Sequence, residues 1–186
     1  MTIHIKNMVC NRCITAVEDV FRNSEIDFVS VNLGWVDIST EISKNQLEKL
    51  NENLKKIGFE ILEDASQKQI ENIKKLILEK VQNLDINEDF LLSKYLSDQL
   101  NKEYSSISKV FSQTENITLE QYFILQKIEK VKELLIYREL TLSQIADKLG
   151  YKTVQHLSQQ FKKITGFSPS QFQELKEKKR LPIDFI

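Results

Sequence analysis

Two cysteines, three residues apart, are the residues near the start of this chain whose type and spacing could do chemistry. Cys10 and Cys13 lie in the segment MVCNRC, and they are the only cysteines among 186 residues. Since nothing later in the chain can pair with either, a disulfide scaffold is disfavoured and a thiol or metal role is favoured. Two thiols on a loop that ends at a helix N-terminus should be acidified by the helix dipole, and a linear two-sulfur site suits soft Cu(I).

The same pair of cysteines has other uses. It could bind Zn(II) with ligands from outside the motif, form a dithiol redox switch, or be a structural loop. Two cysteines do not complete the tetrahedral shell of zinc by themselves. Met8, two residues before the pair, is expected to pack inward.

The elements that must position the cysteines are predicted from periodicity within residues 1–64. The pattern gives strands at 3–5, 26–33, 35–38 and 59–61, with a turn at Gly34 and helices at 13–21 and after Ser43. Ser43 and Gln46 have the spacing of a capping box. The second helix is expected to bury four side chains, Leu47, Leu50, Leu54 and Ile57. The order β-α-β-β-α-β predicts a ferredoxin-like sandwich.

The cysteine motif in this setting resembles the heavy-metal-associated domain of copper chaperones and transporting ATPases. The resemblance rests on Met8-x-Cys10-x-x-Cys13 and on Ile57-Gly58-Phe59 before the last strand, while Asn7 stands where the family usually has glycine. It implies that Cys10 and Cys13 bind Cu(I) or another soft metal ion. No other cofactor is expected.

From Ser66 onward the periodicity becomes helical and predicts an all-α domain. Capping boxes are predicted at Thr118/Gln121, Thr141/Gln144 and Ser168/Gln171, and one long helix spans 118–137. An internal repeat flanks that helix: residues 107–122 match 157–172 at an offset of 50, preceded by a match of 96–100 to 145–149. Each copy predicts two short helices joined by a tight turn, which is the helix-turn-helix plan.

The segment GYKTVQHLSQQFKKITGFSPSQF resembles the signature of the AraC/XylS family of transcription regulators. The resemblance covers residues 68–176, leaves 177–186 as a C-terminal tail, and implies seven helices in two helix-turn-helix units. It also implies that the second helix of each unit enters successive major grooves of double-stranded DNA, with RNA polymerase as a further partner. Two such helices on a rigid linker suit grooves one turn, ~34 Å, apart.

Candidate DNA contacts follow from the predicted buried stripes of the two recognition helices. The second recognition helix, roughly 153–165, is expected to bury Leu157, Phe161 and Ile164. The first recognition helix, about 104–113, is expected to pack through the apolar residues Ile107, Val110 and Phe111. The polar residues left outside are Ser105, Ser108, Lys109, Thr153, Gln155, Ser158, Gln159, Lys162 and Lys163. The first recognition helix has fewer side chains that can read bases, so the second helix-turn-helix pair is expected to contribute more to specificity. His156 is interpreted as a core or phosphate-contacting residue rather than a metal ligand.

Charge and composition narrow the function further. Residues 1–64 carry 7 basic and 11 acidic residues, whereas 65–186 carry 19 and 16. The chain has no long apolar run and no secretory pattern at its start, so a cytoplasmic protein without a membrane segment is expected. With no glycine-rich phosphate loop and two histidines, His4 and His156, catalysis is not predicted. The predicted fold class is α+β, and the predicted function is that of a DNA-binding transcription regulator. The alternative is a metal-trafficking or adaptor protein whose helical half docks a protein partner.

Overall fold

The computed structural model describes residues 1–62 and 65–175. The chain divides into two compact units, Met1–Lys75 and Leu76–Ile186. This division lies later than the predicted boundary at residues 64 to 68, because the helix Ala65–Gln82 gives its first half to the first unit. Residue 176 and the predicted tail 177–186 lie outside the described residues.

The first unit has the predicted order of strands and helices. Its elements are β1 (Thr2–Lys6), α1 (Asn11–Asn23), β2 (Phe28–Asn32), β3 (Trp35–Ile38), α2 (Lys44–Lys55) and β4 (Glu60–Leu62). The strands form a small antiparallel sheet in the order β2-β3-β1-β4. Gly34, at φ 92°, forms the turn between β2 and β3, a backbone conformation that glycine adopts without steric cost.

The core of the first unit lies between this sheet and helices α1 and α2. Ile5, Phe21, Val36 and Leu50 are fully buried there. The capping box of Ser43 and Gln46 is present at the start of α2. Ile57 was expected on the buried stripe of α2, but this is wrong, since α2 ends at Lys55 and Ile57 is 47% exposed in the turn that follows.

The second unit is helical, as predicted. Helix α3 (Ala65–Gln82) enters it, followed by α4 (Leu92–Leu100), α5 (Tyr104–Glu115), α6 (Leu119–Tyr137), α7 (Leu142–Lys148), α8 (Val154–Thr165) and α9 (Pro169–Glu174). The three predicted capping boxes begin α6, α7 and α9. Because both reciprocal hydrogen bonds are formed in each box, the starts of these helices are fixed by local sequence.

Helix α6 lies in the centre of the second unit. Tyr122, near its start, packs against Phe111 of α5 at 5.4 Å between ring centroids, and Ile128 and Val131 join the core around α7, α8 and α9. The helix therefore supports both short helix pairs, α4 with α5 and α7 with α8. Among the described residues, none of the helices combines the length and apolar character needed to cross a membrane.

Candidate nucleic-acid interface and thiol loop

The turn between α7 and α8 is held by contacts on two sides. Gly150 adopts φ 68°, and a Cβ atom there would lie 2.6 Å from the carbonyl oxygen of Asn87. The backbone N–H of Ile86 donates to the carbonyl of Lys148 at 3.2 Å, and Lys127 Nζ of α6 donates to the carbonyl of Leu149 at 3.1 Å. The turn is therefore clamped between α6 and the segment that follows α3.

Lys127 of α6 supports the turn that precedes α8, and this role was not predicted from the sequence. Its Nζ lies 3.9 Å from the ring centroid of Tyr151, and burial lowers the pKa of Lys127 to about 8. Tyr151, whose pKa is raised by burial, donates from its hydroxyl to Gln160 Oε1 at 2.7 Å. A lysine within the apolar stripe of a long helix was the available signal, because a lysine that is buried there needs a partner.

Helix α8 begins one residue later than predicted, at Val154. Thr153 is its N-cap, and the Thr153 hydroxyl accepts a hydrogen bond from the backbone N–H of His156 at 3.0 Å. That hydroxyl is committed to the helix start, which leaves the methyl group of Thr153 for outside contacts.

The buried side of α8 is shorter than predicted. Leu157 and Phe161 are fully buried, and Phe161 packs edge-to-face on Phe172 of α9 at 5.5 Å. Ile164 was expected on the same stripe, but it is 42% exposed, so that expectation is wrong. The reason is its place in the last turn of α8, beyond the contact between Phe161 and Phe172.

The opposite side of α8 is polar and solvent-accessible. Gln155, Gln159, Lys162 and Lys163 are exposed, and Ser158 is half-buried. His156 is exposed with its ring 5.5 Å from that of Tyr151, so the core alternative for His156 is wrong. Residues 152–170 contain three lysines and no acidic residue, which gives this face a positive charge.

Helix α5 presents a different face. Ile107 and Phe111 are buried, as predicted, and Val110 is half-buried. Ser105 and Lys109 are exposed, as predicted, whereas Ser108 was expected to be exposed and is half-buried. The hydroxyl of Tyr104 donates to the carboxylate of Glu120, and this bond holds the pKa of Glu120 below its usual value. Burial and the same bond raise the pKa of Tyr104. The carboxylate of Glu120, in the first turn of α6, therefore lies beside the first residue of α5.

The cysteines of the first unit lie at the start of α1. Cys10 is the exposed N-cap of that helix, Cys13 is half-buried in its first turn, and their Sγ atoms are 3.6 Å apart. Burial opposes ionisation of Cys10, but hydrogen bonds from Cys13 and Arg12 outweigh it, so the pKa of Cys10 is lowered. Burial and the neighbouring Cys10 raise the pKa of Cys13. Cys10 is therefore the first of the two thiols to ionise, and its negative charge disfavours ionisation of Cys13.

Asn7 fixes the loop that carries the cysteines. It adopts φ 70°, a region that asparagine tolerates better than most residues, which explains how it can stand in place of glycine. Its side-chain amide donates to the carbonyl of Gly58 at 2.8 Å, and its backbone N–H donates to Glu71 Oε2 at 3.2 Å. Met8 is buried, as predicted. Glu71, on α3, was not found from sequence because its partner is a backbone group.

The donor set around the cysteines consists of two sulfur atoms. Over residues 1–62 and 65–175, no cluster of three or more His, Cys, Asp or Glu side chains could hold a metal ion. The described residues thus give Cys10 and Cys13 no third ligand for a tetrahedral zinc shell, whereas two thiolates fit the low coordination of a soft monovalent ion.

The two helix pairs on either side of α6 define the second unit as a double helix-turn-helix domain. Comparison with known families agrees: residues 96–175 match the family described as a helix-turn-helix domain. The predicted helix-turn-helix domain is therefore confirmed.

Similar proteins include regulators. The probable transcriptional regulator LumQ of Photobacterium leiognathi is 28% identical over 51% of this chain and 42% of LumQ, so the chain spans less than half of that relative. The C-terminal domain of the two-component response regulator yesN from Fusobacterium nucleatum is 29% identical, over 55% of this chain and 99% of that domain, with a TM-score of 0.48. The C-terminal domain of AraT, a response regulator from Geobacillus stearothermophilus, is 25% identical over 59% and 88%, also with a TM-score of 0.48.

Proposed function

We propose that this protein is a sequence-specific transcription regulator of the AraC/XylS type, and that α8 enters the major groove of double-stranded DNA. The observation that carries the proposal is the exposed row of Gln155, Gln159, Lys162 and Lys163 on a helix whose preceding turn is clamped. The match to a helix-turn-helix family and the likeness to a probable regulator support it. RNA polymerase is a further proposed partner.

The chemistry of this face suits DNA. A glutamine amide can donate and accept at the major-groove edge of adenine, and lysine ammonium groups bind phosphate. The clamped turn limits the rotation of α8 against α6, so that the glutamines approach the bases at a fixed depth. Binding of this kind needs no catalytic group, and the proposed function is therefore not enzymatic.

A gel-shift titration with genomic fragments at several salt concentrations tests the proposal. Lys162→Ala and Lys163→Ala should each weaken binding to all sequences and lower the slope of log affinity against log salt by about one unit, because each loses one phosphate contact. Lys44→Ala is the control, since Lys44 is an exposed lysine of the first unit. An unchanged slope in both α8 variants would reject the docking of α8.

We further propose that the first unit is a ferredoxin-like domain of the heavy-metal-associated type, in which Cys10 and Cys13 bind Cu(I) or a similar soft ion. The two-sulfur donor set on an anchored loop supports this choice over Zn(II). A dithiol redox switch is the second candidate, favoured by the 3.6 Å between the two sulfur atoms. A competition titration of Cu(I) against a chelator of comparable affinity decides, with the Cys10→Ser/Cys13→Ser variant as control.

The remaining alternative is a metal-trafficking or adaptor protein whose helical unit docks a protein. Gel shifts with and without Cu(I) separate it from a regulator. A regulator binds particular fragments in preference to bulk DNA, whereas an adaptor shows no preference at any salt concentration. The outward glutamines and lysines of α8 favour the regulator.

A further inference from the structure

We propose that Glu103 and Glu120 keep α5 out of the major groove, so that the protein holds its DNA site through α8 alone. This inference rests on the proposed DNA-binding function. It concerns the first helix-turn-helix unit, for which the internal repeat by itself predicts a second groove contact.

The first observation is a comparison of the two helix-turn-helix pairs, whose residues correspond at an offset of 50. Helices α5 and α8 are both 12 residues long and correspond position by position. Glu103 corresponds to Thr153, Glu120 to Ser170, and the pair Ser112 and Gln113 to Lys162 and Lys163. Residues 102–120 carry three acidic and two basic residues, whereas 152–170 carry three lysines and no acid. The first helix-turn-helix pair thus has carboxylates where the second has hydroxyls, and neutral side chains where the second has Lys162 and Lys163.

The second observation is where the carboxylates lie. Glu103 is the exposed N-cap of α5 and makes no capping bond with its side chain. Glu120, exposed in the first turn of α6, accepts the hydroxyl hydrogen bond of Tyr104, the first residue of α5. Both acidic residues therefore stand at the N-terminal end of α5, which is the end that a recognition helix inserts into the groove.

The electrostatic consequence follows from the helix dipole. A helix N-terminus carries roughly half a positive charge and attracts phosphate. Two carboxylates at the start of α5 outweigh that charge and repel the phosphates on both sides of the groove. At α8 the equivalent cap is the neutral Thr153, which leaves the dipole available, while Lys162 and Lys163 supply positive charge in the last turn of the helix.

Hydroxyl-radical footprinting of the 186-residue chain on a selected DNA site tests the inference. The wild type should protect the sugar-phosphate backbone beside a single major groove. Glu103→Gln/Glu120→Gln, in which a glutamine oxygen can still accept from Tyr104, should add a second protected segment about one helical turn away. It should also bind at least about tenfold more tightly at low salt, with a salt slope steeper by one unit or more. Glu41→Gln/Glu48→Gln, an equal charge change on exposed residues of the first unit, is the control.

Three results would overturn the inference. The wild type could already protect two segments one turn apart, with Lys109→Ala lowering the salt slope as Lys162→Ala does. The double glutamine variant could bind no differently from its charge-matched control. Glu103→Gln could relax a preference for cytosine, which would make Glu103 a base contact, since a carboxylate can accept from the cytosine amino group. Failure of the wild type to bind any fragment is a separate outcome, and it refutes the proposed function itself.

Discussion

At the scale of single residues, base selection by α8 should depend on its two exposed glutamines. Gln155→Ala and Gln159→Ala are each expected to cost ~1–3 kcal/mol at particular base pairs while sparing non-specific binding, because an amide that pairs with adenine is lost but no phosphate contact is. Selection from random DNA measures this. Gln113→Ala, an exposed glutamine of α5, is the control and should leave the preferred site unchanged. The same preferred site for all four proteins would refute base contact by Gln155 and Gln159.

Lys127 makes the stability of the protein depend on pH in alkaline solution. Its pKa is lowered from 10.5 to about 8 by burial, so above pH 8 the folded state releases a proton that the unfolded state still holds. The free energy of unfolding should therefore rise with pH between about 8 and 10.5. Below pH 8 both states hold the proton, so the contribution of Lys127 to stability does not change with pH. Between pH 8 and 9.5 the expected gain is about 1.5 kcal/mol.

Urea unfolding from pH 7.5 to 9.5 checks this prediction. The quantity compared is the free energy of unfolding of the wild type minus that of Lys127→Met. The difference should grow in favour of the wild type as pH rises, since methionine does not titrate. Lys109→Met, on an exposed lysine, is the matched control variant. Parallel curves for wild type and Lys127→Met would show that Lys127 keeps an ordinary pKa in the folded protein.

At the scale of elements, the turn between α7 and α8 should tolerate no side chain at Gly150. Alanine there would adopt a left-handed conformation costing roughly 1–2 kcal/mol, and its Cβ would also collide with the backbone carbonyl of Asn87 at 2.6 Å. Gly150→Ala should therefore destabilise the protein by more than about 2 kcal/mol. Gly166→Ala is the matched control, because Gly166 has φ 83° and open space around a Cβ, so only the conformational cost applies. Equal losses in urea unfolding would mean that the Asn87 contact relaxes freely.

Elements that are encoded locally could be predicted from the sequence. The capping boxes at Ser43, Thr118, Thr141 and Ser168 fix helix starts through hydrogen bonds within four residues, and all four are present. Helix ends and buried stripes depend on neighbours that are distant in sequence. Ile57 and Ile164 have the spacing of buried residues, yet both are exposed. Helix α2 ends at Lys55, before Ile57, and Ile164 lies in the last turn of α8, beyond the contact between Phe161 and Phe172.

The candidate sites show the same division. The exposure of Gln155 and Lys162 follows from helical periodicity around Leu157 and Phe161, which the sequence contains. The bond from Lys127 to Leu149 and the bond from Asn7 to Glu71 span 22 and 64 residues. Such pairs join a side chain to a backbone group, which has no side-chain signature in the sequence, so neither could be predicted.

At the scale of the whole molecule, the thiol loop and the helical unit share one element. Helix α3 runs from Ala65 to Gln82; its Glu71 accepts the backbone hydrogen bond of Asn7 in the thiol loop, and its last turns belong to the second unit. A change in the loop that alters this bond therefore changes a contact of a helix whose last turns belong to the second unit. We therefore expect the proposed metal binding to act on the proposed DNA binding through α3.

We expect Cu(I) bound at Cys10 and Cys13 to change the affinity for DNA by a coupling free energy of about 1–3 kcal/mol, which corresponds to roughly 5- to 150-fold. Cys10→Ser/Cys13→Ser should fold, bind DNA like the metal-free wild type, and show no response to Cu(I). Reciprocity requires saturating DNA to shift the Cu(I) affinity of the wild type by the same factor, and a chelator competition with and without the selected site measures it. Glu71→Ala, which keeps both cysteines but loses the acceptor for Asn7, should bind Cu(I) with a smaller shift in DNA affinity. If DNA isotherms of the wild type superimpose with and without the bound ion, metal sensing is refuted, and DNA binding through α8 is unaffected by that result.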